Sequence, residues 1–451
     1  MNRQQRTVRV GLLGLGTVGS GVLKALSQNG ESIAERTGCR IEIPYILVRN
    51  PEKKRNVEVA REQIITDPDL ILTSPDIPII IEVMGGLEPA RTIILKSLRS
   101  GKHVITANKE LLAKHGAELL QTAEEAGVQL LFEASVAGGI PVIRFLQGYL
   151  TANRVQEVSG ILNGTTNYIL TKMEQTGQSF GEVLVQAQEL GYAEADPTSD
   201  VEGFDAAYKL AILTNLAFDV KVPVHDIPRE GITRLQPLDL QWAREFGYVI
   251  KLLGRSRRTE QGIELSVGPR LLPLTHPLAR VNDVFNAVMI SSDVVGDLTF
   301  IGKGAGEYPT ASAVLEDLMA LLQNSGNVLR SSSWNTPLQQ FEGRTEVQNN
   351  LVRLDCTRES AAQTEQVFTH FVEKLGGAIL KKVRASHGQE VVLGYVTAGV
   401  SGYVIEEFLK QQIADSFSQL VIPCLAEGEA NVGHELSQNS KESELFMPQS
   451  V

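Results

Sequence analysis

The stretch Gly191-Tyr-Ala-Glu-Ala-Asp-Pro-Thr-Ser-Asp-Val-Glu-Gly-Phe-Asp-Ala-Ala-Tyr-Lys209 holds the densest chemistry in the chain. Glu194 and Asp200 lie in a carboxylate-rich loop that runs into an apolar helix bearing Asp205 and Lys209. One helical turn apart, those two side chains share a face. Lys209 lies among Ala206, Ala207, Leu210, Ala211 and Leu213. An ammonium among such neighbours is costly unless paired, and Asp205 is the natural partner. A lysine so held can stabilise the alkoxide that develops when hydride reaches an aldehyde carbon, and can donate the proton. The loop carboxylates can accept hydrogen bonds from a substrate ammonium. The competing reading is a helix-surface ion pair with Asp200 as N-terminal cap.

A hydride needs a carrier, and Gly14-Leu-Gly16-Thr17-Val18-Gly19 supplies a site for one. Gly14 makes the tight turn, Gly16 lets backbone approach a pyrophosphate, and Gly19 lets strand and helix pack closely. The free N–H groups of the helix start bind phosphate. The next strand ends Leu47-Val48-Arg49, followed by Lys53 and Lys54, with no acid for a ribose diol. Arg49 with Lys53 or Lys54 would pair with a 2′-phosphate, which favours NADP over NAD; a solvated basic turn is the alternative. Thr106-Ala-Asn-Lys109 lies at a strand's carboxyl end, where open α/β sheets bind ligands. Lys109 there reaches nicotinamide ribose or substrate, or is a surface lysine. Glu133-Ala-Ser-Val-Ala-Gly-Gly-Ile-Pro141 is a tight connection whose turning carbonyls could coordinate a hard cation. Asn163-Gly-Thr-Thr-Asn167 reads as a capping turn or a substrate-facing loop.

The elements that position these groups follow from periodicity. Strands are expected at Thr7–Leu13, Ile41–Val48, within Ile77–Met84, at His103–Thr106 and at Val128–Phe132. Helices are expected from Gly19 to about Leu26, at Pro89–Arg99, Lys109–His115 and Ala117–Ala126. Apolar strands alternating with helices imply a doubly wound parallel sheet of Rossmann type over 1–140. From 141 to 300 an α+β domain is expected: strand Gln156–Leu162, a capping box at Ser179-Phe-Gly-Glu182, a long helix over about Val201–Ala217, and strands from Tyr248 to Phe300. Residues 301–324 read as a glycine-rich turn and a helix, about Thr310–Leu322, that returns to the first domain. Ser325–Glu342 reads as a polar linker. Over 346–426 the order βαββαβ gives a ferredoxin-like unit. Residues 427–451 read as a disordered tail.

The 451 residues suit two or three domains. Hydrophobic residues make up 43% and charged residues 21%, as in ordinary globular proteins. A net charge of −11 without a long basic run argues against nucleic-acid binding. Three scattered cysteines and seven histidines outside metal-ligand spacing offer neither a disulfide framework nor a zinc site, which fits a reducing cytoplasm. The basic and then apolar N-terminus is not read as a signal peptide, because its apolar part is interrupted by glycine and runs into the fingerprint. No membrane-spanning segment is expected.

Taken in order, Gly14–Gly19, Thr106–Lys109, Glu133–Pro141, Asn163-Gly-Thr-Thr-Asn-Tyr-Ile169, Gly191-Tyr-Ala-Glu-Ala-Asp-Pro197, Asp205-x-x-x-Lys209 and Gly304-Ala-Gly306-x-x-Pro-Thr310 resemble the homoserine dehydrogenase family over roughly residues 7–322. The resemblance implies NAD(P)-dependent interconversion of L-aspartate 4-semialdehyde and L-homoserine, on the branch toward threonine and methionine. It implies that Lys209 is the proton donor, Glu194 binds substrate, Asp205 is the partner acid, and Lys109 lies near cofactor and substrate. It implies nucleotide contacts at Thr17, Val18, Arg49, Thr106 and Gly306. It also implies a sodium ion, or another monovalent cation, at the carbonyls of Glu133, Val136, Gly138 and Ile140. The family is usually dimeric through its middle domain, so a homodimer or homotetramer is expected. The C-terminal unit resembles an ACT domain, for which threonine would be an effector. ACT domains commonly carry Asp-x-Pro-Gly after their first strand. Leu354-Asp-Cys-Thr-Arg-Glu-Ser-Ala-Ala362 lacks that Pro and Gly, so threonine feedback does not simply carry over. Two alternatives stand beside this reading: a catalytically idle amino-acid sensor, and an oxidoreductase for another short amino aldehyde.

Overall fold

The computed structural model describes residues 6–323, 334, 336–340, 346–412 and 419–425. A parallel sheet runs in the order Ile64–Ile65, Ile46–Leu47, Arg6–Leu13, Ile79–Glu82, His103–Thr106, Leu130–Leu131, with Cys39–Glu42 also paired to the first strand. In its central strands Val10, Leu12, Leu13 and Ile79, Ile80, Ile81 are buried and apolar because helices cover both faces. Thr17–Thr37, Ala90–Arg99 and Lys109–Glu125 supply much of that cover, and Glu307–Gln323 returns to pack on the first of them. Lys24 and Glu307 pair at 2.8 Å across this return.

Four expected boundaries change, each for a packing reason. The first helix runs past Leu26 to Thr37, where Ala34 is again buried and Gly38, at φ +71°, closes it by donating its N–H to the Ala34 carbonyl. The expected strand Ile41–Val48 is two strands, Cys39–Glu42 and Ile46–Leu47, parted around Pro44, which has no N–H for the ladder. The two helices expected around Gly116 are one, Lys109–Glu125. Gly116 does not break it; a Cβ there would stand 2.2 Å from the Trp334 ring. The long helix expected from Val201 begins instead at Phe204, after a short turn Thr198–Val201 and Gly203 at φ +77°. Asp200 therefore lies in the short turn and is not the cap of the long helix.

The middle layer is an antiparallel sheet in the order Gly262–Pro273, Tyr248–Thr259, Val155–Ile161, Phe285–Ser292, Gly296–Lys303. Helix Phe204–Phe218 packs against Tyr248–Thr259 and Val155–Ile161, and nearly all of it is buried. Such a helix is apolar all round, so its two charged residues stand out. Helices Gly164–Thr176, Phe180–Glu189 and Pro237–Glu245 complete the layer.

The C-terminal unit is βαββαβ, with sheet order Ala378–His387, Glu390–Ser401, Val347–Thr357, Gln419–Pro423 and helices Ala361–Lys374 and Gly402–Gln412. It is docked on the middle layer. Arg353 and Asp239 form an ion pair in which both side chains are buried. The indole of Trp242 lies against Gly394, where a Cβ would come within 2.5 Å of it. Glu346 adds bonds to Arg255 at 3.3 Å and Arg257 at 2.7 Å. The segment read as a linker is partly packed: Trp334 is 1% exposed and meets Phe132 edge-on, and Gln339 accepts the Ile263 N–H. The tail expected from residue 427 lies outside the described residues. Among the described residues no helix is long and apolar enough to cross a membrane.

Candidate active site

Helix Phe204–Phe218 presents Asp205 in its first turn and Lys209 one turn later. Asp205 is 2% exposed and Lys209 7%. The Lys209 ammonium donates to Asp205 Oδ2 at 2.6 Å and to the Leu162 carbonyl at 2.7 Å. From the first domain, Lys109 opens helix Lys109–Glu125 and brings Nζ to 2.5 Å from Asp205 Oδ1. One carboxylate thus stands between two ammonium groups. Burial alone would raise the Asp205 pKa, but the charges of Lys209 and Lys109 outweigh it and hold the acid well below the usual carboxylate range. Burial lowers the Lys209 pKa, partly offset by Asp205. Lys109 is also desolvated, yet Asp205, helped by Asp200 and Glu194, raises its pKa on balance.

Asn163 ties these groups to the sheet. Its Oδ1 caps helix Gly164–Thr176 by accepting the Thr166 N–H at 2.8 Å. Its Nδ2 donates to Asp200 Oδ1 at 2.7 Å and Asp205 Oδ2 at 2.9 Å. The motif read as either a capping turn or a substrate-facing loop is both a cap and a carboxylate holder. Burial and the neighbouring Asp205 charge raise the Asp200 pKa. Glu194 is exposed on the loop, and Gln188 holds its backbone carbonyl at 3.0 Å. Five residues from three segments, Lys109, Glu194, Asp200, Asp205 and Lys209, thus converge in one electrostatic cluster.

The glycine fingerprint lies in the first domain, the domain that supplies Lys109. Gly14 has φ +104°, and a Cβ there would lie 2.7 Å from the Val83 carbonyl. A Cβ on Gly19 would lie 2.3 Å from the Gly14 oxygen, which is the close strand–helix packing the motif serves. A Cβ on Gly16 would meet nothing within 4 Å, so its backbone faces open space of the kind a pyrophosphate would fill. Thr17 and Val18 begin the helix, and no side chain caps its start. Arg49 is exposed just past strand Ile46–Leu47, as are Lys53 and Lys54. Gly306, at φ +120°, directly precedes the return helix. Thr106 is fully buried, and its hydroxyl donates to Glu82 Oε2 at 2.6 Å. Glu82, which sequence reasoning missed, also accepts the N–H groups of Met84 and Gly85, and so shapes the strand end beside the fingerprint.

In the connection Glu133–Pro141, Val136, Gly138 and Ile140 lie at a buried turn with Ala137 and Gly138 left-handed. The Glu133 carboxylate is used internally, accepting the N–H groups of Ile143 and Arg144 at 2.8 Å each. No cluster of acidic, histidine or cysteine side chains suited to a metal occurs among the described residues. Any cation at this turn would rely on backbone carbonyls.

Two family models match the chain: the NAD-binding domain of homoserine dehydrogenase over residues 14–133, and homoserine dehydrogenase over residues 141–319. The chain belongs to the homoserine dehydrogenase family. It is 40% identical to the homoserine dehydrogenase of Synechocystis over 424 residues, 92% of each chain. It is 47% identical to that of Bacillus subtilis over 319 residues, 71% of this chain and 74% of the relative. The crystal structure of a homoserine dehydrogenase from Thiobacillus denitrificans superposes with a TM-score of 0.82 at 37% identity, covering 93% of this chain and 98% of the other.

As a homoserine dehydrogenase the chain is an NAD(P)-dependent oxidoreductase acting on a CH–OH group, with a nicotinamide cofactor and a small-molecule substrate. The idle-sensor alternative is not favoured. Besides Glu82, sequence reasoning missed Asn286. It donates to the Leu162 carbonyl from a strand 124 residues along the chain, and no local pattern marks it.

Proposed function

We propose that the chain reduces L-aspartate 4-semialdehyde to L-homoserine with Lys209 as proton donor. The observation that carries this reading is the buried Lys209 ammonium, which among the described residues has one acceptor in Asp205, one in the Leu162 carbonyl, and a third N–H left for a substrate oxygen. When bound, a reduced nicotinamide supplies the hydride that reaches the aldehyde carbon. As the oxygen gains charge, Lys209 Nζ gives it a proton and is left neutral, a change that burial favours. Asp205 holds Lys209 and Lys109 in place. Lys109, partly exposed at the junction of the two domains, faces the cofactor side of the substrate. Glu194 and Asp200 accept hydrogen bonds from the substrate ammonium.

The Gly14–Gly19 turn, with Thr17, Val18, Thr106 and Gly306, holds the cofactor, and Arg49 favours NADP by pairing with its 2′-phosphate. Sodium or another monovalent cation binds the carbonyls of Glu133, Val136, Gly138 and Ile140. The protein works as a homodimer or homotetramer in the cytoplasm. Threonine is a weak effector or none. In the turn where Asp-x-Pro-Gly would stand, Thr357 and Ser360 bond each other through side chains and backbone, which leaves less free backbone for an amino acid.

The test is oxidation of NADPH and NADH with L-aspartate 4-semialdehyde, in wild type and Lys209→Ala, with and without L-threonine. Expected is turnover faster with NADPH, a loss of about 10²–10⁴-fold in kcat for the variant, and little threonine effect. No turnover by folded wild type would overturn the reading.

A further inference from the structure

We propose that Asn286 is a positioning residue for the proton transfer, because its side-chain amide fixes the carbonyl oxygen that aims Lys209. This inference rests on Lys209 being the proton donor. Asn286 lies near the start of strand Phe285–Ser292 and is 1% exposed. Its Nδ2 stands 2.9 Å from the Leu162 oxygen, and Lys209 Nζ stands 2.7 Å from the same oxygen. A carbonyl only accepts, so the amide atom facing it is the N–H donor. Leu162 lies just past the end of strand Val155–Ile161, beyond the pairing of Ile161 with Ala287. The ladder therefore does not hold its carbonyl, and Asn286 does.

The amide has no room to turn. A Cβ on Gly304 would lie 2.0–2.4 Å from its atoms, and one on Gly164 would lie 3.2 Å from its Oδ1. That Oδ1 has no hydrogen-bond partner among the described residues. An apolar side chain of similar size would fill the space without burying an unpaired acceptor, so the donor is what the amide contributes. An ammonium with two of its protons directed, here by Asp205 and Leu162, has the direction of its third fixed by geometry. Letting the Leu162 oxygen drift swings that third N–H away from the aldehyde oxygen, and small misplacements are costly in rate.

The test uses Asn286→Asp, Asn286→Leu and Gly304→Ala, with Lys209→Ala and wild type as references. It reads kcat and KM for L-aspartate 4-semialdehyde across pH, cofactor affinity by fluorescence, and thermal melting. A neutral carboxyl in place of the amide can still donate to Leu162; an ionised one cannot, and it repels that oxygen while pulling on Lys209. Expected for Asn286→Asp is a kcat roughly tenfold below wild type at about pH 8, with the deficit shrinking toward about pH 6 as the acid protonates. Asn286→Leu should show a deficit that does not shrink on acidification, with cofactor affinity kept. Gly304→Ala moves the amide without removing it and should also lower kcat.

Folded Asn286 variants with wild-type kcat at every pH, or equal pH-independent losses in both, would overturn the proposal. If neither folds, wild-type kcat in Gly304→Ala overturns it. Lys209→Ala at the wild-type rate would remove the reading beneath the proposal; an inactive Lys209→Ala beside fully active Asn286 variants would remove the proposal alone.

Discussion

Lys209 and Lys251 are two lysines of the middle layer, both nearly inaccessible and both with pKa lowered by burial, Lys251 to about 8. They differ in how their protons are used. Lys251 donates to Asn167 Oδ1 at 3.0 Å, the Val281 carbonyl at 2.6 Å and Asn282 Oδ1 at 3.1 Å, three neutral acceptors for three protons. Among the described residues Lys209 has a carboxylate, a carbonyl and one N–H to spare. The same helix serves both, capped by Asn163 beside Lys209 and carrying Asn167 one turn on beside Lys251. A saturated ammonium is a structural rivet, whereas an ammonium one partner short, at the mouth of a domain junction, can act on a substrate.

The largest effect that would break this contrast is catalytic. Lys209→Met should lower kcat by about 10²–10⁴-fold, while Lys251→Met in the same steady-state assay stays within roughly threefold of wild type. Comparable kcat losses in the two variants would dissolve the distinction. Stability should run the other way. Lys251→Met takes the ammonium donor from the buried Asn167 Oδ1 and from Asn282 Oδ1, while the Val281 carbonyl keeps its bond from Asn167 Nδ2, and should cost about 1–3 kcal/mol in urea unfolding. Lys209→Met, which leaves Asp205 still paired with Lys109, should cost about 1 kcal/mol or less.

A third effect is the pH dependence of folding. The folded pKa of Lys251, about 8, lies below its unfolded value near 10.4. Between those values the native state binds fewer protons than the unfolded one, so stability attributable to Lys251 rises with pH there, by at most about 1.4 kcal/mol per pH unit. Below about pH 8 the penalty of burying the charge is fully present. Subtracting the Lys251→Met curve from wild type should show that slope, and a flat difference would mean Lys251 is buried at no electrostatic cost. The smallest expected effect concerns Lys209. Asp205→Asn removes the anion that favours its charged form, so the alkaline limb of kcat should move down by about one pH unit. An unmoved limb would assign that titration to another group.

What the sequence revealed and what it hid divide along range of interaction. The Asp205–Lys209 pair, the fingerprint and the Ser179–Glu182 capping box are set within one or two helical turns, and each forms where its spacing implies. The βαββαβ order was likewise legible because each of its elements is periodic over several residues. Gly116 looked like a helix break because its reason, Trp334, lies more than two hundred residues on. Asn286 looked like any strand asparagine because Leu162 and Gly304, which give it a role, are brought to it by the sheet. Glu82 hid in an apolar run, where its acid reads as the strand's end and not as an acceptor for three groups.

The contact of Trp242 with Gly394 sets a rule for exchanging parts. The C-terminal unit meets the rest of the chain through a position where even one methyl group would strike the indole, and beside it Arg353 answers a single buried acid, Asp239. A graft that supplies a foreign βαββαβ module therefore has two conditions to meet at this seam: no side chain opposite Trp242, and a cation opposite Asp239. A module that breaks either condition drives a side chain into the indole or leaves Asp239 buried without its cation, whatever effector it recognises.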